Sequence, residues 1–241
     1  MAVSKYSALH TNSSIVMYAD DLTLLHCLRS AEEDSLQSEY DNIVSWSNSI
    51  GLPINYSKCA VMNVITRKNL SVEPIKTSSG DILKTASSIK ILGVHFCDNL
   101  KWNIHITKTV CHASQRLFVL ANLRRFGCPS HLIRRTYFAF VRSILLYCCP
   151  VFINAPKYLT DKIVRIEKRA AKMIGEQIHP DVLSTMNRSC ESLFQKIVID
   201  DNHPLQECFN SRTRCSRSIC PLRKPFARTL RYKSSFIKFC K

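Results

Sequence analysis

Apolar residues fall into short alternating or continuous runs over the first hundred positions and into three- and four-residue spacings after that. This change of period predicts strands and one helix first, then a succession of helices. Ile15-Val16-Met17-Tyr18 and Leu22-Thr23-Leu24-Leu25 have the β-branched and aromatic character of strands. Ala19-Asp20-Asp21 between them is the expected turn of a hairpin. Ser30-Ala31-Glu32-Glu33 reads as a capping box, with the Ser oxygen on a free amide and Glu33 reaching back. The helix it opens carries Leu36, Tyr40, Ile43 and Ile50 at helical spacing, with Val44 and Trp46 beside them. Gly51 stops that helix and Pro53 prevents its continuation. Residues 58–65, 72–76 and 89–96 are strand-like, and Ser78-Ser79-Gly80-Asp81 is the turn among them.

From Trp102 the period is helical. Ile104, Val110, Leu117 and Leu120 are expected inside, which leaves Lys108, Arg116, Arg124 and Arg125 outside. Pro129 suits the first turn of the next helix. Leu132, Ile133, Tyr137, Phe140, Val141, Ile144 and Leu145 give that helix a broad apolar face, with Arg134, Arg135 and Arg142 on the opposite side. A third helix spans residues 159–174 and ends at Gly175, seamed by Leu159, Ile163, Ile166, Ala170 and Met173. His179-Pro180 opens a shorter one. Beyond His203-Pro204 the chain turns polar and basic, and disorder is expected there.

Charge sharpens this division. The net charge of +16 is concentrated: residues 101–175 hold fourteen Lys and Arg against two Asp and Glu, whereas residues 1–100 hold eight against ten. A stripe of cations along ordered helices suits a phosphate backbone, bound through counterion release without reading sequence. An anionic membrane surface and a merely solvated basic face are the competing readings. At 46% apolar, the 241 residues are too hydrophobic for a disordered chain and long enough for a core. Twelve cysteines scattered through such a chain, with a polar stretch at residues 1–14 and no apolar leader, read as reduced thiols in cytosol or nucleus. The most apolar stretch, residues 137–153, is interrupted by Arg142 and Pro150 and is too short to span a membrane.

The acid doublet carries the chemistry. Neighbouring residues on a strand point to opposite faces, so Asp20 and Asp21 can share a site only where the chain reverses. Carboxylates on a hairpin tip suit Mg²⁺, which takes oxygen ligands and also binds substrate phosphates. Two such ions can clamp the attacking and leaving oxygens of a phosphoryl transfer. The plainer alternative is that both aspartates solvate a turn.

Tyr18-Ala19-Asp20-Asp21 resembles the catalytic box of reverse transcriptases, in particular those of non-LTR (LINE-type) retrotransposons. Further blocks resemble the same family in order. Gly51-Leu52-Pro53-Ile54-Asn55-Tyr56-Ser57-Lys58-Cys59 resembles the block after the palm helix. Ile91-Leu92-Gly93-Val94-His95-Phe96 and Leu100-Lys101-Trp102-Asn103-Ile104-His105-Ile106 resemble the primer-grip hairpin and the thumb entry. Residues 137–150 and 163–175 resemble the helical thumb, so the resemblance spans nearly the whole chain.

The resemblance implies Mg²⁺-dependent (or Mn²⁺-dependent), RNA-templated DNA synthesis, in which a primer 3′-hydroxyl attacks a deoxynucleotide. Asp20 and Asp21 would help hold the metals, and Lys58 would lie near the nucleotide phosphates, where an ammonium offsets developing charge. Without that context Lys58 is a solvated edge charge. Lys108, Arg116, Arg124, Arg125, Arg134, Arg135 and Arg142 would hold a primer–template duplex of RNA and DNA. Trp102 and His105 are expected to be structural. The family also uses an acid on an earlier palm strand, and residues 1–14 contain no Asp or Glu. The expectation is a chain without fingers, first palm strand or template-binding block, inactive alone.

The expected fold is α+β. A partial polymerase palm over residues 1–98 comprises the acid hairpin, one helix and a small antiparallel sheet. A helical thumb-like domain covers residues 99–175, and a C-terminal helix with an irregular basic tail covers 176–241. His203, Cys208, Cys215 and Cys220 make a His-x4-Cys-x6-Cys-x4-Cys array whose spacing differs from the family's knuckle, so zinc and ordinary thiols both stay open. Two other functions stay open as well: a non-catalytic nucleic-acid-binding module and a retroelement relic with no selected role.

Overall fold

A computed structural model describes residues 8–28, 35–65, 72–200 and 202–206, with the backbone of residues 210–211 and 222–223. The chain divides into two units, Met1–Lys101 and Trp102–Lys241. Helices and small antiparallel sheets together make an α+β chain.

In the first unit, β1 (Ser13–Tyr18) and β2 (Asp21–His26) pair antiparallel, with Tyr18 opposite Asp21 and Ser13 opposite His26. The connection is two residues, Ala19 and Asp20, so Asp21 belongs to the strand and not to the turn. Helix α1 (Leu36–Ser49) follows. The capping box expected at residues 30–33 lies outside the described residues; Ser35 occupies the N-cap and makes no side-chain cap bond. Gly51, at φ 73°, ends the helix as expected.

Two of the expected strands are not regular strands. Tyr56–Lys58 is a 3₁₀ turn, and the remainder of residues 58–65 touches the sheet partner only at the isolated bridge Val61–Thr85. Residues 72–76 make a single bridge, Lys76–Ile82, across the turn at Gly80. Side chains replace the missing ladder: Gln37 of α1 donates to the Lys76 carbonyl (3.0 Å) and accepts from its amide (2.9 Å). Tyr40, Val44, Ile75 and Leu83 form the core, with Leu36, Ile54, Cys59 and Val61 against it. Residues 89–96 are two strands and not one, β3 (Ser88–Ile91) and β4 (Val94–Cys97). Leu92 and Gly93 both have positive φ (46° and 85°), the type I′ geometry that matches strand twist.

The second unit is helical: α2 (Asn103–Arg125), α3 (Ser130–Thr136), a π segment (Tyr137–Arg142), α4 (Ser143–Leu146), α5 (Cys149–Phe152), α6 (Lys157–Ile174) and α7 (Val182–Ile199). The short strands β5 (Asn210–Ser211) and β6 (Leu222–Arg223) pair near the end of the chain. Asn103–Tyr158, Thr107–Lys162 and Ser114–Arg169 are hydrogen-bonded pairs at one constant sequence offset. Partners that advance together along both helices mean that α2 and α6 run parallel.

The α6 seam buries Leu159, Ile163, Ile166, Ala170 and Ile174, and half-buries Met173. Gly175 at φ 88° closes it with its amide on the Ala171 carbonyl, the left-handed cap that glycine adopts without strain. In α2 the expected inward set shifts: Ile106, Ala113, Leu117 and Leu120 are buried, Val110 packs at the margin, and Ile104 is exposed. Phe140 and Leu132 are likewise exposed, while Ile133, Tyr137, Val141 and Leu145 fill the core. The helix after His179-Pro180 is not shorter but 18 residues, as long as α6, and Asp181 caps its start: its carboxylate accepts from Ser184 N (3.4 Å) and from the Ser184 hydroxyl.

Candidate functional site

The hairpin tip is built by a strained turn. Ala19 sits at φ 53°, in the left-handed region that a Cβ disfavours. This reversal sets Asp20 in the turn and Asp21 at the first strand position, both exposed. Among the described residues neither carboxylate has a hydrogen-bond or ion-pair partner. Two hard oxygen donors side by side fit Mg²⁺ in kind. They fall short in number, since no group of three His, Cys, Asp or Glu side chains able to hold a metal occurs among the described residues. Cys208, Cys215 and Cys220 of the zinc array lie outside those residues, and His203 Nδ1 accepts the Leu205 amide at 3.1 Å.

Lys58 ends the 3₁₀ turn and is exposed. Asn55 shapes that turn, its Oδ1 accepting from Ser57 N (3.2 Å) and Ser57 Oγ (2.6 Å). No described hydrogen bond or ion pair joins Lys58 to Asp20 or Asp21. Close by, Tyr40 is buried with a hydroxyl that has no partner among the described residues, and burial pushes its pKa up to about 12. Burial also raises the Cys59 thiol.

The seven candidate cations of the helical unit separate into three kinds. Lys108, Arg125 and Arg135 are exposed, with no partner among the described residues. Arg116, Arg124 and Arg134 are tied down. Arg116 donates to the Phe140 carbonyl (3.1 Å) and stacks on its ring at 5.4 Å. Arg124 donates to the last carbonyls of α6, Lys172 and Met173. Arg134 donates to the His179 carbonyl, pairs with Glu176 at 3.6 Å and lies over Phe138.

Arg142 is a different matter. Expected outside, it is 2% exposed, and this corrects its place among the surface cations. Its Nη2 donates to Pro180 O (2.6 Å), Asp181 O (2.8 Å) and Thr185 Oγ1 (2.5 Å), and its Nη1 lies 3.7 Å from Glu167 Oε1. Glu167, also buried, accepts from Tyr137 Oη (3.2 Å) and from the Val182 amide (2.8 Å). The π segment explains the inversion. Five residues apart on an α-helix, Tyr137 and Arg142 would diverge by about 140° at 100° per residue. The wider i→i+5 turn brings them round to the same carboxylate. Burial, then the Glu167 charge, raises the Tyr137 pKa. Trp102 and His105 join the core through Phe152, the His105 ring edge-on to it at 5.1 Å.

A further set of cations emerges on α6. Arg165, Lys168 and Lys172 are exposed on the side opposite the buried seam, and Lys162 and Arg169 reach across to α2. Of the two acids in α6, Glu167 is buried, which leaves Asp161 alone on the outer side. The sequence signal was present: residues 101–160 contain no Asp or Glu. The α2–α6 pair therefore presents cations with almost nothing to neutralise them.

No helix among the described residues is long and apolar enough to cross a membrane, and the described cysteines are free thiols. Compared with protein-family models, curated proteins and solved structures, the chain matches none.

Proposed function

We propose that this chain is a palm-to-thumb portion of an RNA-directed DNA polymerase of the non-LTR retrotransposon type. In this reading Asp20 and Asp21 contribute two carboxylates to a Mg²⁺ site, Lys58 faces nucleotide phosphates, and the helical unit grips a primer–template duplex. The observation that carries it is the hairpin tip. Two adjacent carboxylates sit exposed where the chain reverses, within the one motif that recurs with its companion blocks in family order. When bound, the metal would supply charge neutralisation on phosphates; the chain's own contribution is to hold the two acids side by side at the hairpin tip.

With two carboxylates and no third beside them among the described residues, binding should be weak, in about the millimolar class. Titrating Mn²⁺ against the chain should show such association, lost on Asp20→Asn. Primer extension on an RNA template should give no product above background. Micromolar Mn²⁺ binding that survives Asp20→Asn would sink the site assignment. Robust extension abolished by Asp21→Asn would sink the claim of incompleteness.

A second reading is a non-catalytic nucleic-acid-binding module. The cationic side of the α2–α6 pair, on which Asp161 is the one acid among the described residues, favours it, because that surface needs no metal to act. Duplex binding that persists in Asp20→Asn/Asp21→Asn, in the absence of any Mn²⁺ association by the unaltered chain, would select this reading.

A further inference from the structure

Glu39 is a carboxylate with no exposed surface at all, on the first turn of α1. Ionised groups are almost never buried this completely without partners. Its partners are two backbone amides from far along the chain: Leu9 N donates to Oε1 at 3.1 Å and His10 N to Oε2 at 3.2 Å. One residue before it, the Ser38 hydroxyl meets His10 Nε2 at 3.0 Å. These residues lead directly into the acid hairpin. The Ser13 amide donates to the His10 carbonyl (3.0 Å), and Cys27 N to Asn12 O (2.9 Å). At the base of the ladder, Ser13 Oγ and His26 Nδ1 share a hydrogen bond of 2.8 Å. Fixing residues 9 and 10 therefore fixes the root of both strands.

A two-stranded hairpin is marginal by itself and takes its orientation from what holds it. Six residues of strand at about 3.3 Å each put the tip about 20 Å from the root. Over that lever a tilt of 10° carries the tip through about 3.5 Å. Groups on different elements that act together tolerate relative displacements of only about 0.5 Å.

We propose that Glu39 is a positioning residue for the acid hairpin: its buried carboxylate clamps the Leu9 and His10 amides to α1 and so sets where Asp20 and Asp21 stand. The metal part of this proposal rests on the reading of Asp20 and Asp21 given above; the orienting part does not.

Two variants and two readouts test it on the full chain. Glu39→Ala removes both acceptors, and Glu39→Gln keeps the shape with one acceptor in place of two. In the unaltered chain, residual dipolar couplings of Val16, Leu24 and α1 amides should fit one rigid orientation. In Glu39→Ala the hairpin couplings should collapse while cross-strand pairing and α1 protection from exchange persist, and Glu39→Gln should fall between. Mn²⁺ association through Asp20 should survive in both variants, because Asp20 and Asp21 ride on the same tip and move together. Couplings unchanged in both variants overturn the proposal. If Glu39→Ala unfolds the unit, Glu39→Gln decides: unchanged couplings there overturn it equally. If the couplings collapse but the unaltered chain binds no Mn²⁺ through Asp20, the metal reading fails and the positioning role stands.

Discussion

Removing Lys108, Arg125 and Arg135 together should flatten the salt dependence of duplex binding by an amount that the structure sets. These three are exposed and have no partner among the described residues, so each is free to meet a phosphate. Each phosphate contact contributes about 0.9 to the slope of log affinity against log salt for a B-form duplex. Three contacts amount to a slope difference of about 2.7. Between 50 and 200 mM salt, the unaltered chain should then lose about forty-fold more affinity than Lys108→Ala/Arg125→Ala/Arg135→Ala. The assay is fluorescence anisotropy of a labelled RNA–DNA hybrid over a salt series, with melting curves for both proteins. The companion variant Arg116→Ala/Arg124→Ala/Arg134→Ala supplies the contrast. Its arginines already hold carbonyls of α6, the π segment and the turn before α7, so it should lose stability and change the slope less. A slope identical to that of the unaltered chain in the first variant would show that these cations are only a solvated face.

The buried network gives a stability prediction: Arg142→Met should cost about 3–5 kcal/mol by leaving Glu167 without its cation, and Arg142→Met/Glu167→Leu should cost less than the sum of the two single variants in urea denaturation. A double variant as damaged as the sum of the singles would contradict the coupling. Tyr40→Phe should be neutral or stabilising, since the hydroxyl has no described partner, whereas Tyr137→Phe should cost about 1 kcal/mol for its bond to Glu167. The same tyrosine pair sets an alkaline limit. Tyr40, raised to about 12, keeps its proton in the fold while the unfolded chain releases it near 10, so its contribution is intact below pH 10 and is lost from there towards 12. Thermal melts of the unaltered chain and Tyr40→Phe between pH 8 and 11 check this; parallel declines would refute it.

What the sequence made legible was periodic. The α6 seam and its stop at Gly175 follow from 3–4 spacing and from a residue that adopts positive φ freely. The acid hairpin was legible because two apolar runs bracket a turn. Arg142 was not, because a 3.6-residue period carried through residues 137–142 points it outward, and only the π turn rotates it inward. Glu39 was hidden for a different reason: its helix position looks solvated, and the amides that justify its burial come from Leu9 and His10, thirty residues away. The outer cations of α6, Arg165, Lys168 and Lys172, occupy the positions that the seam's own spacing leaves on the opposite side. Residues 58–65 have strand composition but pair at one point, which composition cannot register.

The parallel course of α2 and α6 also has a kinetic consequence. Antiparallel neighbours joined by a short loop can zip from the loop outward, but these helices meet only across a constant separation of 55 residues. Closing a flexible loop of that length costs about 3.5 kcal/mol in chain entropy before any of the cross-helix bonds form. Structure formed first in α3, the π segment, α4 and α5 would shorten the gap and lower that cost. Contacts of such high order slow folding relative to an up-and-down bundle of equal size. The buried Arg142–Glu167 pair joins the intervening segment to α6 and so ties the two ends of that connection together in the folded chain.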